Sequence, residues 1–339
     1  MNARTPKPTL FPETSRRVGI LLPLPLSGPY DYSINGADLP RGTLVHAPLG
    51  PREALGVVWG AGEGTVSDAK LKPVVPLDGA PKIPSSLCDF VDWVARYTLS
   101  PQGQVLAQVL RARAAFAPEM PRIAYMKGDD TPPRMTDARE RVLAIAGDGL
   151  ARSVSALAEE ANVTPAVVRG LITAGALRAI EMPEFTPFPV PDPQFITPVL
   201  NDEQSDAAIA LRKTVQAGAF STILLDGITG SGKTETYFEA VAETLRAGKQ
   251  VLILLPEIAL SVQFLERFAS RFGCQPAQWQ SDLSQKERKR TWRAVLRGEA
   301  RVVVGARSAL FLPFPELGLI IVDEEHEQAY KQEEGVVYH

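Results

Sequence analysis

The sequence predicts a multidomain chain: a small β-rich N-terminal domain, a winged-helix domain, and an α/β lobe built on a parallel sheet. Three observations carry the prediction. Short apolar runs punctuated by Pro and Gly fill residues 16–80. Two Pro-rich stretches, 117–135 and 183–198, bracket a series of short helices. From residue 201 onward, helical patterns alternate with apolar strands, the mark of a parallel sheet covered by helices.

In the first region, Val18-Gly19-Ile20-Leu21-Leu22, Thr43-Leu44-Val45-His46-Ala47 and Leu55-Gly56-Val57-Val58-Trp59 read as strands of a small barrel or sandwich. Residues 84–110 switch to helical periodicity, with Phe90, Val91, Val94 and Tyr97 on one face. Pro101-Gln102-Gly103 interrupts it, and Val105, Leu106, Val109 and Leu110 resume it. Residues 117–135 read as a linker. Helices follow at Ala138–Ile145, Val154–Ala161 and Ala166–Ile172, with Val163-Thr164-Pro165 as a turn, and Ala176–Glu181 as a strand. This is a helix-turn-helix with a wing-like hairpin. Such units bind DNA or serve as structural adaptors, and Arg169 and Arg178 alone do not make a basic recognition face. The expected boundaries are 1–112, 113–195 and 196–339.

In the last region the expected strands are Thr222–Leu225, Gln250–Leu255, Arg301–Val304 and Leu319–Val322. Gly227-Ile228-Thr229-Gly230-Ser231-Gly232-Lys233-Thr234 follows the first of them and fits the P-loop pattern G-x-x-x-x-G-K-[ST] at every fixed position. Its backbone N–H groups would wrap phosphate oxygens at the positive end of the next helix. Lys233 would reach the β/γ-phosphates and Thr234 would ligate Mg²⁺. The arrangement reads as a RecA-like core. Leu319-Ile320-Ile321-Val322 then delivers Asp323, Glu324, Glu325 and His326 at a strand's C-terminal end, where α/β sheets place ligands. Asp323 would hold Mg²⁺ through water, and Glu324 would activate the hydrolytic water.

The chain of 339 residues is 45% hydrophobic and 22% charged, ordinary for a globular protein. Its net charge is −3 and neither half carries a basic excess, so any nucleic-acid contact must come from local patches. Lys286 to Arg290 with Trp292, Arg293 and Arg297 is the densest of these. It reads as a solvated helix face, with a single-strand or fork contact as the rival reading. Cys88 and Cys274 are the only cysteines and read as reduced buried thiols. With three histidines lacking ligand spacing, they build no zinc site. No apolar run reaches the roughly 18 residues of a membrane helix, and the polar N-terminus lacks a signal peptide's apolar core. The expected location is the cytoplasm, with no membrane partner. The chain ends at His339 soon after a charged segment, which reads as a cut inside a domain.

The Asp-Glu-x-His pattern resembles motif II of superfamily 2 helicases. Asn201-Asp202-Glu203-Gln204 resembles their Q-motif, in which Gln204 would read adenine. Leu225 through Tyr237, Leu255-Pro256-Glu257-Ile258-Ala259-Leu260, Gly305-Ala306-Arg307-Ser308-Ala309-Leu310-Phe311 and Asp323 through Gln332 together resemble motifs I, Ia, Ib and II of the primosomal protein N′ (PriA) family of replication-restart helicases. The resemblance reaches Leu22-Pro23-Leu24-Pro25-Leu26, Tyr30-Asp31-Tyr32 and Ala47-Pro48-Leu49-Gly50, which match that family's 3′ DNA-binding domain.

The resemblance implies an ATP-dependent 3′→5′ DNA helicase of stalled forks that initiates primosome assembly. Tyr30, Asp31 and Tyr32 would form a pocket for a nascent 3′ end, with Gly50 allowing close approach and Lys72 supplying a charge. Aromatic rings stack on bases, a carboxylate accepts from a hydroxyl, and a lysine meets phosphate. Arg307 and Ser308 would contact DNA, and His326 would couple hydrolysis to movement. ATP and Mg²⁺ are the implied cofactors. The implied partners are forked and single-stranded DNA, single-strand-binding protein and other primosome proteins.

Departures from the family pattern are Ala306 where threonine is usual, Gln280-Ser281-Asp282-Leu283 for His-Ser-Gly-Leu, and Glu327 for aspartate. The family's second lobe with its arginine finger, and its cysteine-rich zinc region, have no counterpart in the sequence. Zinc is therefore expected only in the full-length family. The chain is expected to bind nucleotide and forked DNA, to hydrolyse ATP poorly and not to unwind. The alternatives are a fork-binding adaptor with a vestigial ATPase and a different superfamily 2 translocase.

Overall fold

A computed structural model describes residues 16–36, 38–64, 66–228, 230–256, 262–327, 330–331 and 336. Residues 118–186 form one compact unit; the residues on either side of them together form the other.

The N-terminal region is an antiparallel sheet of β1 (Arg16–Leu21), β2 (Tyr30–Ile34), β3 (Leu44–Leu49), β4 (Arg52–Gly60) and β5 (Val75–Pro76), in the order β2-β1-β4-β3-β5. Side chains alternate across a strand, so Val18, Ile20 and Leu22 face a core with Tyr32, Ile34, Val45 and Val58. Leu21, Leu44, Val57 and Trp59 face α1 (Ser85–Thr98) and α2 (Gln102–Val109). Gly103 sets the approach of α2, because a Cβ there would meet the carbonyl oxygens of Leu22 and Leu24 at 2.3 Å. The buried stripe of α1 centres on Val91 and includes Leu87, Cys88, Val94 and Ala95. Tyr97 therefore does not join it: it is 71% exposed and stacks on Trp93, with ring centroids 4.9 Å apart. Burial holds the Cys88 thiol up at about 11, and both cysteines are free.

The 118–186 unit contains β6 (Arg122–Lys127), α3 (Asp137–Ala146), α4 (Val154–Glu160), α5 (Pro165–Thr173) and β7 (Leu177–Met182). Thr136 and Ser153 cap α3 and α4 by accepting from the N–H groups of Arg139 and Ala156, and Pro165 opens α5. Val142, Leu157, Val168, Leu171 and Leu177 form its core. Two expectations change here. Residues 117–135 are not all linker, because Arg122–Lys127 is a strand that the flanking prolines bracket without interrupting. Nor does a wing hairpin follow α5: β7 pairs antiparallel with β6, from Lys127↔Leu177 to Arg122↔Met182.

The lobe runs α6 (Asp202–Ala217), α7 (Lys233–Arg246), β8 (Gln250–Leu254), α8 (Val262–Phe272), β9 (Ala277–Trp279), α9 (Gln285–Leu296), β10 (Val302–Gly305) and β11 (Leu317–Val322). All its strand pairs are parallel, in the order β11-β8-β10-β9. β8 and β10 are buried along their whole length, as central parallel strands are. The strand expected at Thr222–Leu225 is absent. Ile223 and Leu224 are 46% and 76% exposed, and the segment has no ladder partner among the described residues. Apolar composition favours a strand, but a hydrogen-bonded neighbour is needed to make one.

The basic stretch is also corrected. It forms α9. Lys289, Trp292 and Arg293 are buried while Lys286, Glu287 and Arg297 stay exposed, so only part of the helix is a solvated face. Phe116, in the 3-10 turn Arg113–Phe116, meets Trp292 edge-on at 5.1 Å. Arg293 donates to the carbonyl oxygens of Ala115 and Ala117 at 2.9 and 2.5 Å. Residues 113–117 thus join the N-terminal region to the lobe, although the expected boundary places them in the middle domain.

Candidate functional site

The P-loop leads into α7 through Gly230 and Gly232, both in the left-handed region with φ of +82° and +83°. A Cβ at Gly232 would lie 2.4 Å from the Gln204 amide nitrogen and displace that side chain. That nitrogen donates to the Ser231 carbonyl at 2.8 Å, while the Gln204 oxygen accepts from the Asn201 N–H in the capping box of α6. Gln204 thus ties the loop to the start of α6, with one end of its amide on each. Lys233 Nζ donates to the Gly227 carbonyl at 2.6 Å, so the ammonium folds back across its own loop. Ile228 is 83% exposed. Thr229 lies outside the described residues, as do Glu257, Ile258, Ala259 and Leu260.

β11 brings the acidic segment to this loop. The Asp323 N–H extends the parallel ladder by donating to the Leu254 carbonyl at 3.0 Å. Asp323 Oδ2 accepts from the Tyr237 hydroxyl at 2.8 Å, and Oδ1 accepts from the Glu324 N–H at 3.0 Å. Tyr237 lies one helical turn after Lys233 and Thr234. Burial, then the Asp323 charge, pushes the Tyr237 phenol well above its ordinary range. Tyr330 approaches Asp323 from the other side, with its hydroxyl 2.7 Å from the Asp323 carbonyl and 2.9 Å from that of Leu254. Burial and Asp323 push this phenol up too. Glu324 has a φ of +50°, unusual for a residue with a side chain. It is exposed, and its carboxylate lies 3.7 Å from His326 Nε2.

Sequence reasoning gave no role to Tyr237 or Tyr330. The signal for Tyr237 was its helical spacing from Thr234 and Lys233.

Arg307 and Ser308 sit on the 3-10 turn after β10. Gly305 allows that chain to pass Trp279, whose carbonyl would lie 2.3 Å from a Cβ. Arg307 Nη1 is buried without a hydrogen-bond partner among the described residues.

In the N-terminal sheet, Tyr30, Asp31 and Tyr32 are consecutive on β2, so the tyrosines and the aspartate take opposite faces. Tyr30 is 47% exposed, whereas Tyr32 is core and donates to the Pro48 carbonyl at 3.1 Å. Burial and the nearby Tyr30 push the Tyr32 phenol up. The Asp31 carboxylate, only 3% exposed, pairs with Arg17 at 2.6 Å and accepts from the Glu63 N–H at 2.8 Å. Gly50 turns the chain between β3 and β4 with a φ of +60° and open space around it. Exposed Lys72 runs beside β2, its carbonyl accepting from the Ser33 N–H at 2.9 Å. Tyr32 thus reaches β3 two residues before Gly50, Lys72 lies beside β2, and Asp31 turns toward Arg17.

Residues 19–111 match the PriA 3′ DNA-binding domain, and residues 205–338 match the DEAD/DEAH box helicase family, so the parallel-sheet lobe is an α/β RecA-like lobe. A replication restart protein PriA from Rickettsia felis is 33% identical over 94% of this chain, and one from Haemophilus influenzae is 32% identical over 95%. These matches cover 39% and 46% of the two relatives, so the chain spans less than half their length. A Bacillus subtilis PriA is 42% identical over 57% of this chain and 24% of its own. With both an N-terminal and a lobe match, and relatives aligned along nearly all its length, the chain belongs to the PriA family of replication restart proteins.

Proposed function

We propose that the whole protein is an ATP-dependent 3′→5′ DNA helicase of superfamily 2 that recognises stalled forks and initiates primosome assembly. The observation that carries this reading is the meeting of P-loop and acidic strand, with Asp323 2.8 Å from a tyrosine on the P-loop helix. Lys233 would meet the β/γ-phosphates of ATP after leaving the Gly227 carbonyl, and the N–H groups from Gly227 to Thr234 would cradle them. The Thr234 hydroxyl and Asp323 carboxylate are hard oxygen donors suited to Mg²⁺, which takes few protein ligands and shares the rest with phosphate and water. Bound Mg²⁺ would neutralise charge on the phosphates. Glu324 would take a proton from the attacking water, and exposed His326 beside it would couple hydrolysis to DNA movement. Gln204 would read adenine from the lip of the loop, and Arg307 and Ser308 would contact the DNA backbone.

In the N-terminal region, Tyr30, Asp31, Tyr32, Gly50 and Lys72 would hold the nascent 3′ end. Residues 1–112 and 196–339 would act as 3′-end and motor modules, with the helix-turn-helix unit of residues 118–186 as the third. Forked and single-stranded DNA, single-strand-binding protein and primosome proteins are the proposed partners. The proposed location is the cytoplasm; no helix among the described residues is long and apolar enough to cross a membrane.

This chain would bind nucleotide and forked DNA without unwinding. The test measures binding of forks with and without a free 3′-hydroxyl at the branch, beside DNA-stimulated ATPase activity. A 3′-end preference with negligible turnover supports the reading. Robust turnover from this chain alone would overturn the assignment of hydrolysis to a two-lobed whole.

A further inference from the structure

Resting on the nucleotide-site reading, we infer that Tyr237 is the positioning residue for Asp323, the carboxylate that would receive Mg²⁺. Its hydroxyl lies 2.8 Å from Asp323 Oδ2. A carboxylate oxygen accepts, so the phenol donates its proton to Asp323. This bond fixes one Asp323 oxygen, while the Glu324 N–H fixes the other.

The ring is well placed to hold this position. Tyr237 is 6% exposed, and Phe238 meets it edge-on at 5.4 Å. The Asp323 backbone is tied to the Leu254 carbonyl, and the Tyr330 hydroxyl reaches its carbonyl oxygen. Side chain and main chain of Asp323 are thus both fixed without a ligand. Groups that orient metal ligands in this way govern metal affinity.

The test is Tyr237→Phe in this chain, read by titrating Mg²⁺ against a fluorescent ADP analogue, with a parallel arm in EDTA. The Mg²⁺ midpoint should rise about tenfold, the lower end of the range for residues that orient metal ligands, while nucleotide affinity in EDTA stays the same. An unchanged midpoint overturns the inference. So does a lower one, which would make the phenol a competitor of the cation. Loosened folding is separated by two measurements. The melting temperature in EDTA reports stability, and the same substitution in an Asp323→Ala background should no longer move the midpoint. An equal shift in that background also overturns the inference. If the unsubstituted chain binds nucleotide in neither arm, the site reading falls and the inference with it. If the unsubstituted chain responds to Mg²⁺ and Tyr237→Phe matches it, only the inference falls.

Discussion

The two candidate sites in the larger unit hold their polar groups in opposite ways. On β2, the Asp31 carboxylate is buried and committed, with Arg17 on one oxygen and the Glu63 N–H on the other. At the P-loop, Lys233 and Asp323 are half-buried, and their partners are a loop carbonyl and a phenol. A ligand phosphate outbids a neutral carbonyl for an ammonium, because a hydrogen bond with both partners charged is stronger. It is far harder to displace a guanidinium from a buried carboxylate. The lobe site thus offers an exchangeable contact at Lys233, and the sheet site a permanent one at Asp31. On β2, Tyr30 is the proposed group most open to solvent, 47% exposed.

The comparison depends on both sites belonging to one unit, and the contact between α9 and residues 113–117 is its most sensitive point. Trp292 is 1% exposed. Trp292→Ala should cost about 3–5 kcal/mol, the range for truncating a buried aromatic, measured by urea unfolding. Two separate transitions would show the regions to be stable apart. Next in size is Lys233→Ala, which removes the ammonium that would face phosphate. Nucleotide binding should weaken about 100-fold, the upper range for a charged hydrogen bond, with fork binding unchanged. If fork binding falls equally, the two sites are not separable.

What was legible in the sequence follows the range of the interactions involved. The turn into α7 at Gly232 and the acidic end of β11 are local, set by residues a few positions apart. The missed features depend on distant partners. Arg122–Lys127 is a strand because Leu177–Met182 pairs with it, and Thr222–Leu225 is not one because no strand does. The charges of α9 looked solvent-facing until the 113–117 carbonyls supplied acceptors for Arg293. Asp31 has Arg17 as a partner across the β1–β2 pair, a contact the sequence does not display.

Within the β2 site, Tyr30 and Asp31 separate binding from stability. Tyr30→Ala should weaken binding to a 3′-ended fork about tenfold, within the roughly 1–3 kcal/mol of one base stacked on an aromatic ring, and leave the melting temperature alone. Asp31→Asn should lower the melting temperature, since it leaves Arg17 facing a neutral amide. Its effect on fork binding should follow that loss of stability. If Asp31→Asn abolishes 3′-end preference in a chain that melts normally, the carboxylate is exchangeable after all, and the contrast between the sites fails.

The smallest effect tests whether the lobe site also holds something permanent. Glu324 keeps a φ of +50° while its N–H is tied to Asp323 Oδ1. A left-handed residue with a Cβ carries about 1–2 kcal/mol of strain. Glycine relieves that strain but gives the unfolded chain more freedom, at about 0.5–1 kcal/mol. Glu324→Gly should therefore raise stability by no more than about 1 kcal/mol, read from the urea midpoint, and nucleotide affinity should not change. The strained backbone aims the Glu324 N–H at Asp323 and turns its side chain outward beside His326. A stability gain with intact affinity would mean that the strain serves the side chain's chemistry rather than the holding of nucleotide. A loss of affinity would instead make the Glu324 backbone, through Asp323, part of the binding geometry.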